Sequence, residues 1–450
     1  MVRRFLDRLA LFGVSQSKII EPMSWSRRYT IKSYLLSAIW TAPVIALALE
    51  QVTFRFAYAN RLDFGFFPGF ALDREGTVAL ADYVIASSIA FIVFTFSSLI
   101  VAIQVASGQL SPRIIATALL RDRVMRGSVA LFVYALLLAI AVKGRVDTVP
   151  RSLVSLTAVL GLLSVLVFMF LIDYAARLLR PVSIVWRIAR QGLKVIDDVY
   201  PDPVSPTPVT ARVVEGLPPP ERTILHRGNS AIVIAVNLKA LVAEAKRADA
   251  VVELAPLVGD FVARGDHLFR LRGRGAAAAN DRLLCAQVAF GRERTIEQDS
   301  TFAFRIIVDI AIKALSAAIN DPTTAVFALD QLQPLLCAVA GRELHDDRIF
   351  DAEGRLRVIF RTPNWTDFVQ LTFSEVRLYG VGNVQIARRL RTMLENAIRS
   401  VPEMRIPELR EELALLDRAV EASYAFPEDV ARARIPDSLG LGGASHRVTR

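Results

Sequence analysis

The chain has 450 residues, 53% of them hydrophobic, and its 54 Lys and Arg outnumber 44 Asp and Glu, for a net charge of +10. The apolar residues concentrate before about Leu179, which predicts a membrane-embedded part followed by a water-soluble part. Many arginines flank apolar segments, as in cytosolic loops of membrane proteins, so the positive charge is assigned to topology and nucleic acid is excluded as a partner. Cys285 and Cys337 are the only cysteines, too few for a disulfide framework.

The first predicted transmembrane helix follows a basic N-terminal segment. Residues 1–32 carry seven Lys and Arg and no apolar run long enough for a secretory signal, so they predict a cytosolic lead-in. The helix itself is expected at Ser33–Phe54, ending near Glu50 and kinked by Pro43. An aromatic external loop from Arg55 to Asp82 follows.

The longest apolar segment, Tyr83–Pro112, has thirty residues without Asp, Glu, Lys or Arg. As a helix it rises about 45 Å, more than the roughly 30 Å hydrocarbon core of a bilayer. Five polar residues recur along it at intervals of seven, two on one side and three on nearly the opposite side: Ser88 and Thr95, then Ser97, Gln104 and Ser111. Because polar groups in hydrocarbon are costly unless paired or wet, these residues are candidates for a pore lining or for helix interfaces.

Two further transmembrane helices are predicted at Gly127–Val142 and Ser152–Ile172. Four crossings bring the chain back to its starting side, and the distribution of Lys and Arg places both termini in the cytosol. The lipid bilayer is therefore the first partner, and the bacterial inner membrane is the expected location.

The soluble part begins after an amphipathic helix and a linker with seven prolines between Pro201 and Glu221. Ile224–Gly273 has strand-like segments around a short helix at Leu238–Arg247, and its glycine spacing resembles the second hairpin of biotinyl- and lipoyl-type small β barrels. Those domains present a lysine at a hairpin tip, whereas Lys239 opens a helix here. A cofactor-free, barrel-like subdomain is expected.

A helical hairpin is predicted next. Its first helix, Thr301–Ala318, has Arg305, Asp309 and Lys313 in one polar line, and its second begins at Asp321 as N-cap and runs through Gln333. Ahead of it, alternating charges favour an ion-pair network over an anionic ligand. The candidate cytosolic residues are Arg292, Glu293, Arg294, Asp309, Lys313, Asn320 and Asp321.

The remaining chain predicts strands at Arg355–Thr362 and Phe368–Phe373, helices at Asn383–Ser400 and Pro407–Ser423, and a disordered tail. The expected fold class is an α-helical membrane protein of about four transmembrane helices with a C-terminal cytosolic α+β domain containing a barrel-like part and helical hairpins. The predicted domains are 1–32 (lead-in), 33–180 (membrane), 181–222 (helix and linker), 223–275 (barrel-like), 276–430 (helical, α+β) and 431–450 (tail).

Familiar catalytic and cofactor motifs do not match. The four histidines lack helical ligand spacing, neither cysteine has a His nearby in sequence, and no nucleotide-binding loop follows a strand. The acids Glu297, Asp299, Asp309 and Asp321 are interpreted as structural. We therefore expect no enzyme, no cofactor and no metal.

Two long motifs carry a resemblance to a known family. IVAIQVASGQLSPRIIATALLRDR, followed much later by GRERTIEQDSTFAFRIIVDIAIKALSAAINDPTTAVFALDQL, resembles the bacterial predicted membrane proteins labelled domain of unknown function 2254. The resemblance extends to about Leu394. It implies a multi-span bacterial membrane protein with a cytosolic domain, and it implies no particular activity.

Two classes of function remain open. One is an oligomeric channel-like or transport protein, a homo-oligomer whose cytosolic domain assembles or gates a path for a small ion. The other is a sensor or scaffold without transport, whose cytosolic domain binds an anionic ligand or a partner. The scarcity of charges within the predicted spans disfavours a coupled pump.

Overall fold

The structure is a computed structural model that describes residues 24–30, 41–59, 72–109, 122–178, 180–205, 217, 219–344 and 347–435. The chain divides into two compact units. The first, the sheet unit, comprises Met1–Ser33, Leu217–Glu293 and Ile349–Phe360, and the second, the helical unit, comprises Tyr34–Gly216, Arg294–Arg348 and Arg361–Arg450.

The helical unit opens with four apolar helices: α1 Thr41–Ala59, α2 Arg74–Gln109, α3 Arg123–Lys143 and α4 Arg151–Leu178. Among the described residues, four helices are long and apolar enough to cross a membrane: α2, α3, α4 and the later helix Pro322–Ala340. The predicted span Ser33–Phe54 is only partly described, since residues 33–40 lie outside the described ranges; α1 is its remainder and continues to Ala59.

The helix formed by the longest apolar segment, α2, is longer than predicted on its N-terminal side. α2 has 36 residues, about 54 Å of helix, and begins at Arg74 rather than Tyr83. The side chain of Asp73 accepts a hydrogen bond from Gly76 N at 2.7 Å, which satisfies one exposed donor of the first turn. In the added turns Asp82 pairs with Lys143, the last residue of α3, and Arg74 pairs with Asp147 after it, so these charges extend the helix without entering the apolar part.

Ion pairs lie at two levels of this bundle. The distal pairs are Asp82 with Lys143 at 2.5 Å and Arg74 with Asp147 at 3.0 Å. The proximal pairs, near helix α5 Pro181–Val199, are Asp122 with Arg187 at 2.8 Å and Asp173 with Arg177. The 21-residue α3 runs between the two levels, about 30 Å, which matches the thickness of a bilayer core.

Close packing of α2 on α4 fixes the register of the bundle. Phe91 stacks on Phe168 at 4.2 Å between ring centroids and lies 5.4 Å from Phe132 of α3. Two helical turns before these phenylalanines, Val84 of α2 approaches Gly161 of α4 closely. A Cβ at that glycine would be 2.7 Å from a methyl carbon of Val84. α2 and α4 therefore run parallel, and the small residue sets how closely they meet.

The sheet unit contains two open sheets. Its strands are β1 Pro220–Leu225, β2 Ala231–Val236, β3 Val251–Leu254, β4 Phe261–Val262, β5 His267–Arg272, β6 Val288–Gly291, β7 Arg348–Phe350 and β8 Leu356–Phe360. The larger sheet has the order β1-β5-β3-β8-β7 and the smaller β4-β2-β6. The helices α6 Leu238–Ala248 and α7 Asp281–Cys285 belong to the same unit.

The prediction of a barrel at 223–275 is wrong, because these sheets do not close. β3 pairs antiparallel with β5 on one edge but parallel with β8 on the other, with Val252 opposite Val358. A strand from a hundred residues downstream thus occupies the edge that a barrel would close, and local glycine spacing cannot reveal such a partner. On the smaller sheet, Trp25 and Tyr29 pack against Ile234 and Ala289.

The helical core of the second unit contains α8 Ser300–Ala314, α9 Pro322–Ala340, α10 Trp365–Gly380, α11 Val384–Ser400, α12 Ile406–Ser423 and α13 Pro427–Ala433. The hairpin of α8 and α9 is confirmed, although α8 ends at Ala314 and α9 continues to Ala340. α9 continues past Pro334 because Leu335, Leu336 and Val339 beyond it are buried. α9 packs against α5, α8 and α11, so its apolar composition reflects a protein core.

The predicted strand Phe368–Phe373 is wrong, since these residues lie within α10. Asn364 and Asp367 form a capping box that starts the helix: Asp367 N donates to Asn364 Oδ1 at 2.9 Å, and Asn364 N donates to Asp367 Oδ2 at 2.9 Å. The buried positions Phe368, Thr372 and Val376 follow helical spacing. By contrast, Arg355–Thr362 contains the predicted strand as β8, and the helices predicted at Asn383–Ser400 and Pro407–Ser423 match α11 and α12.

Candidate functional site

The two polar sides of α2 have different environments. Ser88 and Thr95 are 0% and 1% exposed, and they face the interior of the bundle. Thr95 Oγ1 donates to the Phe91 carbonyl at 2.7 Å. On the opposite side, Ser97 and Gln104 are exposed in the single chain. Ser111 lies outside the described residues.

The exposed side of α2 is mixed: it carries large apolar residues, such as Val93 and Ile100, as well as small and polar ones. Ala86, Ala90 and Ser97 follow one another at helical spacing and are all exposed. The exposed side of α4 also carries large apolar residues, such as Leu162 and Leu166, 64% and 60% exposed, as a helix facing lipid does. The row Ala86, Ala90, Ser97 and Gln104 is called the small stripe below.

Gln104 lies near one edge of the apolar layer. Phe91 lies level with Phe132 of α3, and Gln104 is thirteen residues further along α2, about 20 Å. Asp122, at the proximal level, is ten residues from Phe132, about 15 Å. The amide of Gln104 is therefore about one turn beyond the proximal pairs, while Ser97 is inside the apolar layer.

A buried polar junction joins the apolar helices to α5. Asp122 is 7% exposed and caps α3, accepting from Val124 N at 2.9 Å and Met125 N at 3.0 Å. Its other oxygen accepts from Tyr174 Oη at 2.5 Å and from Arg187 Nη1 at 2.8 Å. The junction could not be identified from the sequence, because Tyr174 and Arg187 are brought to Asp122 only by the fold.

The polar line predicted on α8 lines a cleft. Arg305 forms a two-pronged ion pair with Glu375 of α10, the second contact Nη2 to Oε2 at 3.1 Å, and its Nε lies 3.1 Å from Asp309. The hydrogen bonds that Arg305 donates to Glu375 are the main reason that the pKa of Arg305 is raised above its ordinary value. Lys313 and Tyr379 also line the cleft, which has a volume of about 570 Å³.

The positive and negative side chains of this cleft are equal in number. Two cationic and two anionic side chains lie beside the apolar side chains of Ile312 and Leu315. Such a site suits a small ligand with an apolar body and a polar end. Asp309 and Lys313 could be identified from the sequence, but Glu375 could not, because it follows a segment that was predicted as a strand.

The charged motif before α8 has a structural part. Arg294 donates to Asp299 Oδ2 from Nε at 2.9 Å and from Nη2 at 2.6 Å, and its guanidinium lies 5.0 Å from the Phe302 ring centroid. Asp299 in turn caps α8 by accepting from Phe302 N at 3.0 Å. Arg292 and Glu293, predicted to join this network, are exposed.

The turn between α8 and α9 explains the Asn-Asp-Pro sequence. Asn320 has φ 47°, a left-handed conformation that Asn tolerates better than most residues. The backbone N–H of Asp321 donates to the Ala314 carbonyl at 2.8 Å, and Asp321 Oδ1 accepts from Thr324 N at 3.0 Å. Asp321 is the N-cap of α9, as predicted.

The two cysteines are half-buried thiols. Burial raises the pKa of both Cys285 and Cys337 above the ordinary value of a thiol, so neither is prepared as a thiolate nucleophile. Among the described residues, no three or more His, Cys, Asp and Glu side chains are arranged to hold a metal ion. The absence of enzymatic activity, cofactor and metal stays a prediction.

Comparison with known proteins places these features in a family. Residues 32–396 match the family described as "Predicted membrane protein (DUF2254)". Uncharacterized protein Rv1290c of Mycobacterium tuberculosis and Uncharacterized protein Mb1321c of Mycobacterium bovis are each 26% identical over 431 residues, covering 90% of this chain and 80% of the relative. No solved structure matches the chain significantly. The chain therefore belongs to the family of predicted membrane proteins that carries the label domain of unknown function 2254.

Proposed function

We propose that the protein is a homo-oligomeric, channel-like protein of the bacterial inner membrane, in which copies of α2 surround a central path. The observation that carries this proposal is the small stripe of Ala86, Ala90, Ser97 and Gln104 on the exposed side of α2. Small residues let helices approach closely in a membrane, where lipid offers no hydrophobic drive for association.

Cyclic assembly gives the stripe a role. A few helices of one chain seldom enclose a conduit, whereas a rotational axis brings copies of one helix together. The hydroxyl of Ser97 then lies beside the path within the apolar layer, and the amide of Gln104 lies at the proximal mouth. The helical core, connected to the same end through Asp122 and Arg187, is in a position to assemble or gate the path.

Topology is the first test, and we place both termini, the proximal pairs and the C-terminal domain in the cytosol. In a variant with Cys285 and Cys337 replaced by serine, a cysteine at Gly69 should react with an impermeant maleimide in intact spheroplasts. A cysteine at Gly442 should react only after lysis. The reverse pattern of labelling would contradict this orientation.

Cross-linking and ion flux test the assembly. In the same cysteine-free protein, Ala90→Cys should give covalent dimers with a short bismaleimide in membranes. Leu166→Cys, at nearly the same depth on the exposed side of α4, should not. In liposomes, the purified protein should pass ions, and Ser97→Leu should lower the flux to background while Leu166→Ile leaves it unchanged, because only Ser97 lies on the small stripe.

The alternative function is a sensor or scaffold without transport. The cleft beside Arg305 and Glu375 favours it, because it has the size and mixed polarity of a ligand site in a part of the chain outside the apolar helices. A protein that is monomeric in membranes, gives no Ala90→Cys dimers and passes no ions would leave this alternative and end the channel proposal.

A further inference from the structure

Glu50 is a buried acid on an otherwise apolar stripe of α1. The buried residues of this helix are Ala42, Ala46, Glu50 and Ala57. They recur at helical spacing, so they share the side that packs against α3. The side chain of Glu50 is 5% exposed, as deeply buried as the alanines around it.

Contacts near the end of α1 establish the depth of Glu50. Thr53 Oγ1 lies 2.9 Å from Tyr134 Oη of α3, and Tyr58 Oη donates to the Thr148 carbonyl, beyond the distal level, at 3.3 Å. Glu50 precedes Thr53 by nearly one turn in the direction away from Thr148. Its carboxyl group therefore lies between the distal and proximal pairs, inside the apolar layer. The sequence had suggested that the span ends near this residue.

Basic side chains of the neighbouring helices lie far from this depth. α1 packs on α3 and, over a smaller area, on α4. α3 has no Lys or Arg between Arg126 and Lys143, and α4 has none between Arg151 and Arg177. Tyr134 is the titratable side chain that α3 contributes near Glu50. The arginines at the distal end of α1 are Arg55, exposed on α1 itself, and Arg145, over Phe54 at 4.7 Å.

An ionised carboxylate in an apolar layer is costly unless a cation accompanies it. The neighbours that the structure supplies are amide and hydroxyl groups: Gln51 Nε2 donates to Glu50 Oε2 at 2.7 Å, and the hydroxyls of Thr53 and Tyr134 lie a turn away. The carboxylate oxygens of Glu50 and the hydroxyl oxygens near it are atoms that bind protons and small hard cations, and within the described parts of α1, α3 and α4 no Lys or Arg lies at this depth.

We infer that Glu50 is a binding site for a monovalent cation, a proton or sodium, within the apolar layer. The site is on α1 and does not use the small stripe of α2, so it holds whether or not α2 lines a path. It also changes the expectation about coupling: a carboxyl group at this depth is what a cation-coupled membrane protein requires, and the apparent lack of such groups was the argument against one.

Labelling with dicyclohexylcarbodiimide tests the site directly. A carboxylic acid adds across one C=N bond of this reagent, with its oxygen bonding to carbon and its proton going to nitrogen, and the adduct rearranges to a stable acylurea. The reagent partitions into apolar layers. On the wild-type protein in liposomes, mass spectrometry should find one main adduct, on the peptide that contains Glu50.

Two controls distinguish the outcomes. Glu50→Gln, which keeps the size of the side chain, should abolish the adduct while the protein elutes unchanged on gel filtration. Sodium chloride, compared with choline chloride at equal ionic strength, should slow the labelling if sodium competes for the site, and should have no effect if the proton alone occupies it. An unlabelled Glu50, or labelling no greater than at the exposed Glu75 of α2, would overturn the inference. The readout requires no ion flux, so its result is independent of the channel proposal.

Discussion

Replacing Phe368 by alanine should lower the free energy of unfolding by about 3–5 kcal/mol, the usual cost of removing a fully buried aromatic side chain. Phe368 is 0% exposed in the helical core. Its ring centroid lies 5.3 Å from that of Phe304 and 6.4 Å from that of Tyr200, so truncation removes contacts with two other elements. Thermal or denaturant unfolding in detergent, followed by circular dichroism, measures the loss.

The matched control is Gln370→Ala. In a strand, Phe368 and Gln370 would share one side, and both substitutions would lower the free energy of unfolding. In α10 they lie on different sides, and Gln370 is exposed. Gln370→Ala should therefore change stability by no more than about 0.5 kcal/mol. Comparable losses at both positions would contradict the helix.

Asp122→Ala should cost about 3 kcal/mol, for two reasons. The helix α3 loses its side-chain cap, worth about 1 kcal/mol. In addition, the Tyr174 hydroxyl and the half-buried Arg187 guanidinium lose the carboxylate between them, and a buried polar group deprived of its partner costs about 1–3 kcal/mol. The same unfolding measurement applies, with proteolysis after α4 as a second readout of a released α5.

Asp173→Ala is the matched control for Asp122. Asp173 also pairs with an arginine at the proximal level, but its side chain is 62% exposed against 6% for Asp122. An exposed ion pair contributes about 0–1 kcal/mol. Asp122→Asn keeps the cap and should fall between the two. Equal effects of Asp122→Ala and Asp173→Ala would show that the junction has no special role.

Local features of the fold could be predicted where the sequence carries its own signal. The capping residue Asp321 identified the start of α9 because a cap acts on the next turn of its own chain, and the helix predicted from Asn383 begins with that residue as its N-cap. The helices α2, α3 and α4 could likewise be predicted, from the length of their apolar segments. The segment around Phe368 misled because its apolar residues fit both a two-residue and a helical period, and the deciding signal was the capping box of Asn364 and Asp367.

Features that depend on distant partners could not be predicted. The pairing of β3 with β8 joins Val252 to Val358, and no local pattern announces it. The same is true of Glu375 opposite Arg305, and of Arg187 at Asp122. For α2, the sequence placed polar residues on two sides correctly, but only the packing of Phe91 against its neighbours shows which side is buried and how deep each residue lies.

The strands of the larger sheet come from distant parts of the chain, and this has a consequence for synthesis on the ribosome. β1, β5 and β3 are made together, but β8, which covers the open edge of β3, is translated only after α8 and α9. During that interval the nascent chain presents an unpaired strand edge, the kind of surface that templates association with other chains. A pause or truncation before Leu356 would therefore produce an aggregation-prone species, and a holding chaperone has a definite window in which to act.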